Sequence, residues 1–155
     1  MPHTYRCGAI DCGVSSINDA LRGELLTAIR EKRSRAYYME DAQGCVGFIA
    51  LRAESFQLAD SIDRELYIVT ALTVPGVLLE LIAVDNRARH TGLGKQFLLA
   101  AVALAGQVSE MIGARFMVLD SLPERVAFYE RNGFRRTVKQ PDTATVFMIL
   151  DLIEP

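Results

Sequence analysis

The sequence predicts a single domain of mixed α/β type, and three features carry that expectation. A nearly continuous apolar run, Val77 to Val84, has the character of a strand covered on both faces. After a polar loop comes a long stretch with apolar residues at helical spacing, Leu93 to Met111. The chain then closes with two short segments, Phe134–Val138 and Thr145–Leu152, that read as an antiparallel pair. With 155 residues, half of them apolar, it is long enough to bury one real core.

Taken in order, Ser16-Ile17-Asn18-Asp19 has the form of a capping box, a hydroxyl followed three residues later by a carboxylate. Ile17, Leu21, Leu25, Ala28 and Ile29 continue at helical spacing, which predicts a helix from Ile17 to Lys32. Gly23 weakens that helix by about 1 kcal/mol relative to alanine. Ala36–Met39 and Cys45–Leu51 form a strand hairpin around the turn residues Asp41-Ala42-Gln43-Gly44. Ala53–Glu65 is irregular enough to allow a short strand or a helix. Leu66–Leu72 is another apolar piece, broken by Thr73-Val74-Pro75-Gly76. The helix from Leu93 presents Phe97, Ala101, Leu104, Val108 and Met111 on one face and stops at Gly113. Arg115–Leu119 is the next strand. Pro123 sits where a first helical position accepts proline, opening a short helix Glu124–Arg131 that ends at Asn132-Gly133.

Several functional classes are disfavoured. The longest apolar run, Phe97–Ala105, is half the length of a membrane span, and Met1–Arg6 lacks a signal-peptide pattern, so a cytoplasmic location and no membrane partner are expected. Cys7, Cys12 and Cys45 are odd in number; with His3 they lack a fourth metal ligand, so no metal is expected and free thiols are the better reading. The net charge of −2 argues against a wholly basic nucleic-acid coat. The distribution is uneven, with Arg30, Lys32, Arg33 and Arg35 in one cluster and Arg131, Arg135, Arg136 and Lys139 in another. Such clusters are either solvated faces or the wall of a basic groove.

The informative unit is strand, then Arg89-His90-Thr91-Gly92-Leu93-Gly94-Lys95, then helix. A helix N-terminus leaves backbone N–H groups unpaired and carries partial positive charge, which together cradle a pyrophosphate. A Walker loop would need Ser or Thr after Gly94-Lys95, where Gln96 stands, and a dinucleotide fingerprint would need glycine at Phe97. An ordinary strand–helix turn stays open on the loop alone. Downstream lies Phe128-Tyr129-Glu130-Arg131-Asn132-Gly133-Phe134.

Loop and segment together resemble the GNAT acetyltransferase superfamily from about Val77 to Phe134. The resemblance implies acetyl-CoA as cofactor and a mixed sheet with splayed central strands, Val77–Val84 and Arg115–Leu119. Pantetheine would lie along the backbone of Ile82, Ala83 and Val84. The amides from His90 to Lys95, with the charge of Arg89, would take the pyrophosphate. Over nearly the whole chain the sequence is also similar to the acetyltransferase toxins of toxin–antitoxin pairs. Asp11-Cys12-Gly13 with Ile17-Asn18-Asp19-Ala20-Leu21, Ser34–Tyr38, Val46-Gly47-Phe48, Val74–Leu79 and Ala127-Phe128-Tyr129 carry that likeness. Ala20, where an aromatic is usual, and the mild acidity depart from it. This narrower resemblance implies the α-amine of aminoacyl-tRNA as acceptor, a small DNA-binding antitoxin as partner, and a homodimer.

Amine attack on a thioester needs a neutral amine and a proton for the departing thiolate. A lysine amine, with pKa near 10.4, needs a base, whereas an α-amine near 7.7–8.0 is already partly neutral. Tyr129 is the candidate acid, since a phenol is a donor at neutral pH; the alternative is a core aromatic. Glu80, the only acid of its strand, is the candidate base acting through water; the alternatives are an ion pair with an arginine or a solvent-facing position. His90 serves through its backbone. Arg135 and Arg136, with Arg125, Arg131 and Lys139, are candidates for tRNA phosphates. A small-molecule or protein amine remains the rival acceptor, and a non-catalytic CoA-binding module the rival class.

Overall fold

The structure, a computed structural model, describes residues 9–58 and 60–153. His3 and Cys7 lie outside them. A six-stranded mixed sheet has the order β1-β2-β3-β4-β6-β5, with β1 Arg35–Asp41, β2 Gly44–Gln57, β3 Thr73–Val84, β4 Phe116–Ser121, β5 Arg135–Arg136 and β6 Val146–Asp151. The helices are α1 Ser15–Arg22, α2 Glu24–Arg30, α3 Ser61–Leu66, α4 Leu93–Ile112 and α5 Val126–Glu130. The chain divides into two compact units, Met1–Arg52 with Leu79–Ala103, and Ala53–Leu78 with Leu104–Pro155.

In the first unit, α1 and α2 replace the single predicted helix. Gly23 adopts a non-helical φ of −116° and ψ of −112°, and its N–H turns to the Ala20 carbonyl, so the break falls at the residue with least preference for helix. The predicted capping box is not formed. Val14 is the N-cap and offers no side-chain bond, while its carbonyl accepts from the Ile17 and Asn18 amides. Leu21, Leu25 and Ile10 pack with Phe48, Ala50 and Ala83 in a core that Ala36, Tyr38 and Leu81 border. The hairpin is antiparallel from Arg35↔Leu51 to Asp41↔Gly44. A Cβ on Gly47 would stand 2.0 Å from the Phe97 ring, so glycine is what lets α4 seat that ring on β2. Cys12 is a buried free thiol, as expected, but Cys45 is disulfide-bonded, against the reading of all three cysteines as free.

In the second unit the irregular stretch resolves into the end of β2 and α3. The Asp60 carboxylate caps α3 by accepting from the Ile62 amide at 2.8 Å. Phe116 receives Phe56 and Tyr67 edge-on, with centroids 5.9 and 5.3 Å away, over a core shared with Val74, Leu78, Val118 and Ile149. Thr73–Gly76 does not break the chain but opens β3. Pro75 lies just before the parallel ladder with β4, which begins at Gly76↔Phe116, so its missing N–H costs no bond there. Gly76 is required at that point, since a Cβ would come within 2.8 Å of the Phe116 carbonyl oxygen. The final pair is antiparallel as expected, although β5 is only two residues long; β6 pairs with β5 and, from Phe116↔Asp151 to Ser121↔Val146, with β4. Arg115 donates to both carboxylate oxygens of buried Asp151, at 3.1 and 2.5 Å.

The parallel ladder of β3 and β4 runs only from Gly76↔Phe116 to Leu78↔Val118. β3 continues to Val84 and β4 to Ser121. The pair named by the family resemblance is thus laddered over only part of either strand. Helix α4 begins at Leu93 and ends before Gly113, whose φ of +73° is the left-handed stop expected there. Of its predicted face, Phe97 and Ala101 are buried and Leu104 and Val108 half-buried, whereas Met111 is 81% exposed; Leu98 and Ala105 are buried as well. No helix among the described residues is long and apolar enough to cross a membrane.

Candidate active site

The site begins where β3 stops. Asp85 turns the chain: its amide bonds to the Val46 carbonyl of β2, and its carboxylate accepts from the Arg87 amide at 3.1 Å. The Arg87 guanidinium then reaches Asp41 at 3.1 Å and donates to Gln43 and to the Gly44 and Cys45 carbonyls. One arginine thereby pins the loop to the hairpin turn.

Beyond it the loop takes a shape that glycine and a strained histidine supply. His90 has φ +61° and Gly92 φ +80°, both left-handed, and the Thr91 hydroxyl closes the turn on the Ala88 carbonyl at 2.6 Å. Nothing lies within 4 Å of a Cβ placed on Gly92, and at Gly94 the nearest atom is a Val84 methyl at 3.8 Å. Open space therefore adjoins the first turn of α4, where the amides of Leu93, Gly94 and Lys95 precede the first helix bond, from Gln96 to the Gly92 carbonyl. A 20-residue helix behind this turn places partial positive charge there. Room, amides and charge fit an anionic group such as the pyrophosphate of CoA. Lys95 is exposed beside them. Arg89, expected to add charge directly, instead donates to the Cys12 carbonyl at 2.6 Å.

The chain matches the Acetyltransferase (GNAT) domain over residues 32–136. It belongs to the GNAT acetyltransferase family. A tRNA-acetylating toxin of Mycobacterium tuberculosis is 30% identical over 130 residues, which cover 83% of this GNAT chain and 78% of the relative. Among solved structures, AtaT complexed with acetyl-methionyl-tRNAfMet has TM-score 0.76 at 22% identity, covering 89% of this chain and 84% of that one. A mutant AtaT bound to the C-terminus of the antitoxin AtaR and acetyl-CoA has TM-score 0.73 at 20% identity, covering 92% and 83%. These two likenesses establish the fold.

The remaining GNAT residues stand as follows. Ile82, Ala83 and Val84 end β3, beyond the ladder with β4. Tyr129 is on α5, only 8% exposed, with Phe128 and Phe134 edge-on at 5.1 and 5.8 Å. Burial in this aromatic setting pushes its phenol up from 10.0 to about 12, a rise that Arg125 partly opposes. Glu80 is engaged at both oxygens: the Ser34 hydroxyl donates at 2.5 Å to one, and Arg52 lies 3.5 Å from the other. The geometry therefore favours the ion-pair alternative for Glu80 over the base. Ser34 and Arg52 were not singled out from sequence as partners of Glu80, since they lie far from it in the chain. Arg135 and Arg136 are exposed on β5, and Arg136 is paired with Glu130 at 2.8 Å.

Proposed function

We propose that this protein transfers the acetyl group of acetyl-CoA to the α-amine of an aminoacyl-tRNA, as the toxin of a toxin–antitoxin pair, with the whole chain acting as one catalytic domain. The observation that carries the cofactor half is the left-handed loop His90–Gly92 opening onto the N-terminus of α4 beside unfilled space. The acceptor half is supported by the 30% identity to a tRNA-acetylating toxin over most of both chains.

When bound, acetyl-CoA supplies an activated thioester. The amides from His90 to Lys95 would hold its pyrophosphate, and the backbone of Ile82, Ala83 and Val84, beyond the ladder with β4, would offer bonds to the pantetheine amides. The amine nitrogen bonds to the acetyl carbon, the carbon–sulfur bond breaks, and the amine proton leaves to water. In this reading Tyr129 would donate its proton to the departing thiolate and regain one from solvent. Its raised pKa keeps it protonated throughout the working range. An α-amine is neutral often enough near neutral pH to need no strong base, in accord with the engagement of Glu80 by Ser34 and Arg52. Arg135 presents an exposed charge next to the α5 segment for acceptor phosphates, while Arg136 must first leave Glu130.

A cytoplasmic place of action, a homodimer and a small antitoxin partner complete the reading. The deciding assay offers labelled acetyl-CoA to charged tRNA, with a polyamine and a peptide as parallel acceptors. Label on charged tRNA that falls steeply as salt rises is the expected result, because phosphate contacts release counterions. Label on polyamine or peptide alone would replace the acceptor and leave the acetyltransferase standing.

A further inference from the structure

We infer that Asp11, Gly13, Asn18 and Arg89 form a latch that positions the acetyl-CoA loop, with Arg89 acting as a positioning residue and not as a ligand of the pyrophosphate. The inference rests on the reading that the loop His90–Lys95 binds acetyl-CoA.

The latch has two parts. One makes a rigid corner from the segment before α1. The Asp11 carboxylate accepts from the Gly13 amide and from the Asn18 side-chain amide, both at 2.9 Å. The Asn18 side-chain oxygen accepts in turn from the Cys12 amide at 3.1 Å and from the Cys12 thiol at 3.2 Å. Both ends of the Asn18 amide are therefore spent on shaping residues 11–13. These bonds also hold the Asp11 carboxyl below its ordinary range, the Gly13 amide contributing most.

The other part fastens that corner to the loop after β3. The Asp11 amide donates to Asp85 at 3.1 Å, and the Asn86 amide donates to the Asp11 carbonyl at 2.8 Å. Arg89 completes the join with its bond to the Cys12 carbonyl at 2.6 Å. That bond sits one residue before left-handed His90 and three before left-handed Gly92. The backbone direction at Arg89 thus decides where the amides of the cradle point. Gly13 is fitted to the join: its φ is +76°, and a Cβ there would stand 2.7 Å from the Arg89 guanidinium and 3.0 Å from the Asn86 side chain. The left-handed φ favours glycine there, and a side chain would displace the Arg89 guanidinium from its place on this corner.

A latch and a direct ligand make different forecasts for Gly13→Ala, Arg89→Ala and the double variant. If Arg89 acts through the corner, each single variant raises the acetyl-CoA Kd by roughly tenfold, the scale of one lost charged hydrogen bond. The double variant is then no worse than either single, because both break the same join. The salt dependence of acetyl-CoA binding keeps its slope in Arg89→Ala, since no phosphate contact is removed. Arg89→Lys serves as a milder variant that retains a donor, and it should recover part of the affinity. Calorimetry across a salt series measures all of these, with circular dichroism confirming folded protein. Additive losses, or a flattened salt slope in Arg89→Ala, would make Arg89 a direct phosphate ligand and overturn the latch. Variants that bind like wild type would overturn it too. Wild-type protein that binds no acetyl-CoA would instead remove the loop assignment, and the latch with it.

Discussion

Replacing Tyr129 by phenylalanine tests the proposed acid with little disturbance of the fold. The ring stays in its slot between Phe128 and Phe134, and no described residue is hydrogen-bonded to the hydroxyl that is lost. The phenol pKa rises from 10.0 to about 12. At about 1.4 kcal/mol per unit, the folded protein disfavours the tyrosinate by about 3 kcal/mol. The neutral donor therefore persists through the whole working range. Loss of a general acid lowers turnover by about 100- to 10,000-fold, or about 2.7–5.4 kcal/mol of barrier. We expect Tyr129→Phe to lose kcat on that scale while its acetyl-CoA affinity and melting temperature stay close to wild type. The raised pKa also sets an alkaline signature. Its stabilising contribution is fully present below about pH 10 and is lost as pH climbs towards about 12, so Tyr129→Phe should unfold less steeply in that window. Steady-state kinetics and alkaline unfolding followed by circular dichroism measure the two effects. Wild-type turnover in the variant would leave Tyr129 a core aromatic and refute the mechanism.

Other substitutions separate binding from folding. Gly94→Glu puts a carboxylate where only a Val84 methyl is near, so it should abolish most acetyl-CoA binding in calorimetry without unfolding the protein; retained affinity would move the pyrophosphate elsewhere. Gly47→Ala should lower stability by about 1–3 kcal/mol, read as a fall in melting temperature, because its methyl enters the Phe97 ring. Glu80→Gln keeps an acceptor for Ser34 and loses the half-exposed Arg52 pair, so turnover should fall less than about tenfold with no change in the pH profile; a loss of about 100-fold with a shifted acid limb would restore Glu80 as the base. Arg135→Glu should flatten the salt dependence of transfer to charged tRNA more than Arg136→Glu does, since Arg136 is already occupied by Glu130.

The sequence alone determined the features that depend on residues adjacent in the chain. The run Val77–Val84, the glycine loop and the helix after it form one local unit, and its stop at Gly113 follows from backbone freedom that a side chain restricts. The same holds for the hairpin turn and for the aromatic segment around Tyr129, whose order in the chain was enough to indicate the family. What the sequence misjudged was local preference overridden from a distance. Ser16 has capping chemistry, yet α1 starts at Ser15, so the cap position falls on Val14 and Ser16 lies inside the first turn. Thr73–Gly76 reads as a breaker, but it forms the start of β3, and Gly76 opens the ladder with β4. Glu80 looked like a lone acid in an apolar strand because its partners Ser34 and Arg52 are 46 and 28 residues away in the chain. Arg89 belonged to a phosphate motif by spacing, whereas the tertiary structure turned its guanidinium back to Cys12, 77 residues earlier. Pattern and propensity act over one or two turns of chain, so they specify the glycine loop and the helix after it; which charged groups remain available beside it depends on long-range pairs that only folding brings within reach.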